Sequence, residues 1–172
     1  MEACIVRSYM NDRIITLRYA DIIDIKKICD IMLGTEPYTV LGYTKDVCFD
    51  IVIDSIEEGR AVVAEVGEDI AGFILFRIFE GFPLGGYIRA LAVSPRFRGL
   101  GVGSSLVRFA EETIFRYRDN VFLLVSSFNY NAIRFYRSLG YEVVGEIRDA
   151  IIEGESEYIM RKKRRTYTGR GG

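Results

Sequence analysis

Three glycines alternate through Gly99, Gly101 and Gly103, with Arg96 and Arg98 just ahead of Gly99 and Ser104 and Ser105 just behind Gly103. They fall where an apolar stretch, "YIRALAV", gives way to a segment of helical spacing. Glycine inside a regular element costs roughly 0.5–1 kcal/mol relative to alanine, so three in one turn suggest that something comes close to the backbone. A dinucleotide fingerprint would need Gly-x-Gly-x-x-Gly directly after the strand; here the spacing differs and "SPRFR" intervenes. A P-loop would need Gly-Lys-Ser/Thr, and Gly103-Ser104-Ser105 has no lysine. An anion site fits better. First-turn N–H groups lack intrahelical partners, the helix dipole favours negative charge, and glycines let a pyrophosphate lie against the main chain. A flexible connector at a crowded crossing is the structural alternative.

What is missing narrows the chemistry further. The chain has no histidine, so the commonest metal ligand and general base are absent. Cys4, Cys29 and Cys48 form no Cys-x-x-Cys pair and are odd in number, so neither a disulfide framework nor a zinc site is expected. A metalloenzyme and a Ser-His-Asp hydrolase are both disfavoured. No apolar run approaches the roughly 18 residues of a membrane span, and no signal peptide is apparent at the start. A cytoplasmic protein without membrane contact is expected. Net charge is −1 over 172 residues, but six positive charges fall in the last twelve, "RKKRRTYTGRGG". The remainder is acidic, with 17 basic against 24 acidic side chains. The tail, 161–172, could touch nucleic acid, a ribosome or another acidic surface; a solvated, mobile end is the plainer expectation.

The elements that must position the glycine turn can be read from periodicity. "RIITLRYA" (Arg13 to Ala20) is a strand, and the residues before it read as an extension. "DIIDIKKICDIM" is a helix with Ile22, Ile25, Cys29 and Met32 on one face and Asp21 as its cap. A second helix starts near Thr44 with Val47, Ile51 and Ser55 on one face. "RAVVAEV" and "IAGFILFRIF" form a hairpin about the tight "GED" turn. "GGYIRALAV" is a further strand, and Leu106, Val107, Ala110 and Ile114 mark the helix after the glycines. "NVFLLVSS" is a buried strand, "NYNAIRFYRSLG" a short helix ending at Gly140, and "YEVVGEIRDA" and "ESEYIMRKK" are the last strands. The order is β-α-α-β-β-β-α-β-α-β-β: one α/β (α+β) domain over residues 1–160, with a mixed, largely antiparallel sheet flanked by helices.

Arg98-x-x-Gly101-x-Gly103 follows a strand ending in "LAVSP", and "N-x-x-A-I-x-F-Y-x-x-L-G-Y" follows about thirty residues later, from Asn129 through Tyr136 to Tyr141. In sequence, spacing and order this pair of motifs resembles the GNAT acetyltransferase superfamily, over nearly the whole chain apart from the tail. The end of the chain, "EIRDAIIEGESEYIM", is similar to that of ribosomal-protein and N-terminal acetyltransferases. The resemblance implies the GNAT fold, acetyl-coenzyme A as donor and an amine as acceptor. It places the pyrophosphate on the N–H groups of Arg98, Gly99, Leu100, Gly101, Val102, Gly103 and Ser104. It pairs the pantetheine arm with the backbone of Leu91, Ala92 and Val93, where the strand splays and leaves edge groups free. Asn129 becomes a cofactor contact, and Tyr136 the tyrosine near the thioester sulfur. On residue pattern alone Tyr136 could equally be a core aromatic.

Without histidine, direct attack of a neutral amine on a thioester has to use other groups. The Val93 N–H could serve the oxyanion. Tyr136, with an ordinary pKa near 10, is expected to protonate the departing thiolate. Family members that carry a Glu or His base in the strand before Asn129 are matched here by Leu124, which accepts no proton. Tyr87 resembles a tyrosine that serves N-terminal acetyltransferases through ordered water; an exposed strand position is its alternative. Glu36 and Glu80 are other candidates. Acceptor walls are expected from "GTEPYTVLGY", with Glu36, Tyr38 and Tyr43, and from "RDAIIEGESE", whose Glu153, Glu155 and Glu157 would attract a cation. N-terminal acetyltransferases usually carry a tyrosine pair in that hairpin, where this chain has Ala150-Ile151. The expected reaction is acetyl transfer to a protein or peptide N-terminal α-amino group. A small amine such as a polyamine is the alternative acceptor, and a non-catalytic acyl-CoA sensor the alternative class.

Overall fold

A computed structural model describes residues 6–10 and 13–164. Among these residues eight strands form one sheet: β1 (Val6–Met10), β2 (Arg13–Tyr19), β3 (Ala61–Val66), β4 (Asp69–Gly81), β5 (Gly85–Val93), β6 (Asn120–Ser126), β7 (Glu142–Arg148) and β8 (Ser156–Lys163). Four helices cover it: α1 (Ile25–Leu33), α2 (Lys45–Glu57), α3 (Val102–Phe115) and α4 (Tyr130–Ser138). The spatial order is β1-β2-β3-β4-β5-β6-β8-β7. Every neighbouring pair is antiparallel except β5 and β6.

The expected order of elements is present, with one addition. β1 lies where the sequence suggested only an extension, and it pairs with β2 along its whole length. The basic tail also begins later than expected. Arg161, Lys162 and Lys163 are the end of β8, paired with Phe122, Val121 and Asn120. Arg161 bonds Glu142, Lys162 bonds Glu111 and Arg164 bonds Asp119. These charges are therefore structural ion pairs rather than a free end. The remainder, 165–172, lies outside the described residues.

Two hydrophobic clusters sandwich the sheet, as side-chain alternation along each strand requires. Leu106, Ala110 and Ile114 of α3 and Ile133 and Tyr136 of α4 pack on one face, against Val62, Ile74, Ile88, Val121 and Met160. Ile25, Ile28 and Met32 of α1 and Cys48 and Val52 of α2 pack on the other, against Val63, Phe73, Leu75, Ala90 and Ala92. Both helix faces differ slightly from the sequence reading. Ile22 sits in a 3-10 turn before α1, capped by Asp21, and is 63% exposed. In α2 the buried stripe is Cys48, Val52 and Ser55, whereas Val47 is exposed.

β5 and β6 pair only from Gly86 to Ile88, opposite Val121 to Leu123, and then diverge. Gly86 allows the close approach at the root of this split. A Cβ there would lie 2.6 Å from Ile114 Cγ2 and 2.7 Å from the Arg77 carbonyl oxygen. Gly86→Ala is expected to cost about 1–3 kcal/mol, as overpacked cores do, read as a lower urea midpoint at unchanged m-value.

Candidate active site

The split holds a cavity of about 150 Å³ that reaches both faces of the sheet. Its walls include Ile88, Val125 and Tyr136 from the α3/α4 side and Tyr38 and Ala90 from the α1/α2 side. A bulge makes this possible. Leu75 pairs with Ala90 but Phe76 pairs with Ile88, so Arg89 is an extra residue and β5 changes its facing there. Tyr87, Leu124 and Glu157 alternate with residues of the α3/α4 face and so line the cavity from the α1/α2 side.

The bulge also decides which backbone groups are free. Ser94 N–H bonds Ala71 O, so in the same register Ala92 bonds Phe73 within the ladder. Leu91 and Val93 direct their N–H and C=O groups toward the split. Tyr38 Oη takes both groups of Leu91, accepting from its N–H at 3.0 Å and donating to its carbonyl at 3.2 Å. Arg98 Nε donates to the Val93 carbonyl at 3.3 Å. The Val93 N–H has no protein partner among the described residues.

At the far end of β5 the chain enters α3. Gly99 and Gly101 have φ of +75° and +81°, a region that costs side-chain-bearing residues. The Ser105 N–H bonds the Gly101 carbonyl, which leaves the preceding first-turn N–H groups of Val102, Gly103 and Ser104 without intrahelical partners. A Cβ on Gly103 would lie 3.3 Å from the Phe135 ring and 3.6 Å from Val93 Cγ2. The glycine turn is thus packed against the residue that precedes Tyr136 and against the free edge of β5. Glycine turn, strand edge and cavity thus follow one another along β5. A diphosphate with a flexible arm fits the turn and the Val93 edge; at Leu91 the arm would compete with the Tyr38 hydroxyl.

Residues 25–141 match the acetyltransferase (GNAT) family. The chain belongs to that family. It is 30% identical over 114 residues to an N-alpha-acetyltransferase of Sulfurisphaera tokodaii, covering 60% of this chain and 68% of that one. An N-alpha-acetyltransferase of Sulfolobus acidocaldarius is 29% identical over 116 residues, 60% and 69% of the two chains. Among solved structures, Ard1 from Thermoplasma volcanium superimposes with a TM-score of 0.74 at 24% identity, over 88% of this chain and 99% of that one. Arabidopsis thaliana Naa50, in complex with a bisubstrate analogue, gives 0.70 at 22% identity, over 87% and 98%. The fold is therefore the GNAT fold, and this chain is an acetyltransferase.

Within this GNAT frame the expected site residues separate. Tyr136, Tyr87, Tyr38, Tyr43, Leu91 and Asn129 all line the cavity. Asn129 caps α4, its Oδ1 accepting from Ala132 N–H at 3.1 Å, which leaves its amide nitrogen free to donate to a ligand. Ala92 cannot pair with a pantetheine arm through its backbone, which the ladder uses. Tyr38 is not an open acceptor surface: it is 7% exposed, and Tyr43 stands edge-on to it at 5.3 Å. Arg96 pairs with Asp69 at 2.6 Å, which leaves Arg98 as the cation directed at Val93. Glu36 lies in a separate hollow with Phe128, Tyr130 and Arg134, and Glu80 pairs with Arg77 on β4. Glu153 is exposed in the β7–β8 loop, and Glu155 is held by Ser127 Oγ; neither lines the cavity. Glu157 does. Its placement follows from strand alternation along β8, but its burial depends on β6, far away in sequence.

Burial pushes Tyr136 well above the usual phenol range, with Tyr38 and Tyr87 adding to the shift. Burial also raises Tyr87. A phenol raised by burial parts with its proton less readily than an ordinary one. The Tyr136 hydroxyl suits hydrogen-bond donation to a developing anion. Tyr87, also raised by burial, suits the orientation of water better than proton abstraction.

Proposed function

We propose that this chain transfers the acetyl group of acetyl-coenzyme A to the N-terminal α-amino group of a protein or peptide. The observation that carries the reading is the cavity through the split sheet, walled by Tyr38, Tyr43, Tyr87 and Tyr136, with the glycine turn packed nearby against Phe135 and Val93. Acetyl-coenzyme A supplies a thioester whose carbonyl carbon is attacked by the amine and whose sulfur departs. The N–H groups from Gly99 to Ser104 would hold its pyrophosphate, the Arg98 N–H being bonded to the Pro95 carbonyl at 3.3 Å, and the Val93 edge would hold its pantetheine arm. The Val93 N–H is the candidate oxyanion donor. Tyr136 stabilises the departing sulfur by hydrogen bonding, and Tyr87 orients water on the acceptor side. Tyr43 and the hydrophobic wall of Leu41, Leu124 and Ile151 offer flat surfaces suited to a peptide.

An α-amine has a pKa near 8 and loses its proton readily, whereas a lysine amine near 10.4 does not. The curated relatives named as N-alpha-acetyltransferases support the α-amine. The test compares kcat/KM for short peptides with free N-termini against spermidine. Peptides are expected to lead; spermidine leading by about tenfold, some 1.4 kcal/mol of transition-state binding, would overturn the peptide assignment. Absence of turnover with any amine, despite coenzyme A binding, would return the chain to the sensor class.

A further inference from the structure

Among the described residues, Glu157 is the only carboxylate lining the cavity. It sits directly opposite Ser126 in the β6–β8 ladder, and Ser126 Oγ donates to its Oε1 at 2.5 Å. The residue is 6% exposed. Among the described residues no lysine or arginine pairs with it, and Oε2 has no hydrogen-bond partner. A buried carboxylate with one neutral donor and no cation is costly to a fold. Glutamine would fill the same space at less expense, so the charge calls for a functional reason.

We propose, resting on the reading of an amine acetyltransferase, that Glu157 is the proton acceptor for the incoming amine. Oε2 takes one proton from the ammonium, directly or through one water. The neutral nitrogen forms its bond to the thioester carbon, and the carbon–sulfur bond breaks. The second proton on that nitrogen passes through water to the departing thiolate, and Glu157 returns its own proton to solvent. The product amide, free thiol and one released proton balance the step.

The surroundings agree with this role. Tyr87 and Arg89 of β5, Tyr38 and Tyr43 of the α1–α2 loop, and Tyr136 of α4 are the titratable groups that share the cavity. None is a carboxylate, and the phenols of Tyr38, Tyr87 and Tyr136 are raised, so they are poor bases at neutral pH. Burial raises the Glu157 carboxyl above its usual range, against the Ser126 hydrogen bond. It is therefore a stronger base than a surface glutamate. It also stands on the α1/α2 side of the sheet, across the split from Tyr136.

Glu157→Gln and Ser126→Ala test the proposal with both a free-N-terminus peptide and spermidine as acceptors. Glu157→Gln is expected to lower kcat by about 10²–10⁴-fold on whichever acceptor the wild type uses. It should flatten the acidic limb of the kcat–pH profile and leave coenzyme A affinity by calorimetry unchanged. Its Tm near neutral pH should hold or rise, because the folded state no longer carries a buried charge; a purely structural glutamate predicts a fall. Ser126→Ala removes a bond that favours the ionised form, so the acidic limb should move to higher pH while kcat recovers on its alkaline side. A Glu157→Gln enzyme with kcat within about threefold of wild type and an unchanged acidic limb would overturn the role, since that is far below the usual effect of losing an acid–base group. Turnover of spermidine alone would refute the peptide reading and leave Glu157 to be judged on spermidine. Turnover of neither would refute both.

Discussion

Tyr136→Phe is expected to lower kcat by about 10²–10³-fold, the usual effect of losing one donor to a developing charge in a water-poor site. Stability and coenzyme A affinity should barely change. The ring of Tyr136 meets Phe135 at 5.1 Å and Tyr141 at 5.4 Å, both edge-on, and phenylalanine keeps those contacts. Its hydroxyl makes no hydrogen bond among the described residues, so no protein group loses a partner. Because burial holds the phenol protonated far above neutral pH, Tyr136 should contribute no alkaline limb below about pH 10. Single-turnover kinetics separate the effect from product release. If the chemical step kept its wild-type rate, the sulfur would have to be stabilised elsewhere.

Gly101→Val is expected to weaken coenzyme A binding by about 10–100-fold, equivalent to losing one charge-assisted hydrogen bond of roughly 1.5–3 kcal/mol. The cause differs from simple crowding by a phosphate. Gly101 occupies the N-cap of α3 at φ +81°, and a β-branched residue resists that conformation. The cap must reorganise, and the N–H groups of Val102, Gly103 and Ser104 then no longer converge. Isothermal titration with coenzyme A, alongside dephospho and pyrophosphate-free analogues, locates the loss. The pyrophosphate-free analogue should bind both proteins equally. Undiminished coenzyme A affinity in the variant would remove the pyrophosphate from this turn.

The parts of the fold legible in the sequence are those governed by local pattern. The β3–β4 hairpin follows from alternating apolar residues around Gly67–Asp69, and the stop of α4 from Gly140, at φ +91°. The start of α4 offers two asparagines, Asn129 and Asn131, and it is Asn129 whose side chain accepts from the N–H three residues ahead. What escaped depended on distant partners. Arg161, Lys162 and Arg164 look like a charged tail until Glu142, Glu111 and Asp119 are brought beside them. β1 carries little local signal, and its definition comes from pairing with β2.

The site divides in the same way. Positions fixed by motif, Tyr136 and the glycine turn, could be named in advance. The competition at Leu91 could not, because Tyr38 reaches it across 53 residues. Glu153, Glu155 and Glu157 look alike as an acidic run. Only Glu157 falls opposite Ser126 on the strand face that turns toward the cavity. Alternation along β8 separates these acids, but which face is the inner one is a property of the assembled sheet.

The most direct measurement of the central claim is the position of the acetyl group on a peptide that offers both amines. A short peptide with a free N-terminus and an internal lysine is incubated with the protein and acetyl-coenzyme A, and the product is sequenced by tandem mass spectrometry. The account predicts one acetyl group on the α-nitrogen, with the lysine unmodified at early times. Acetyl on the lysine ε-nitrogen, with the N-terminus left free, would contradict it.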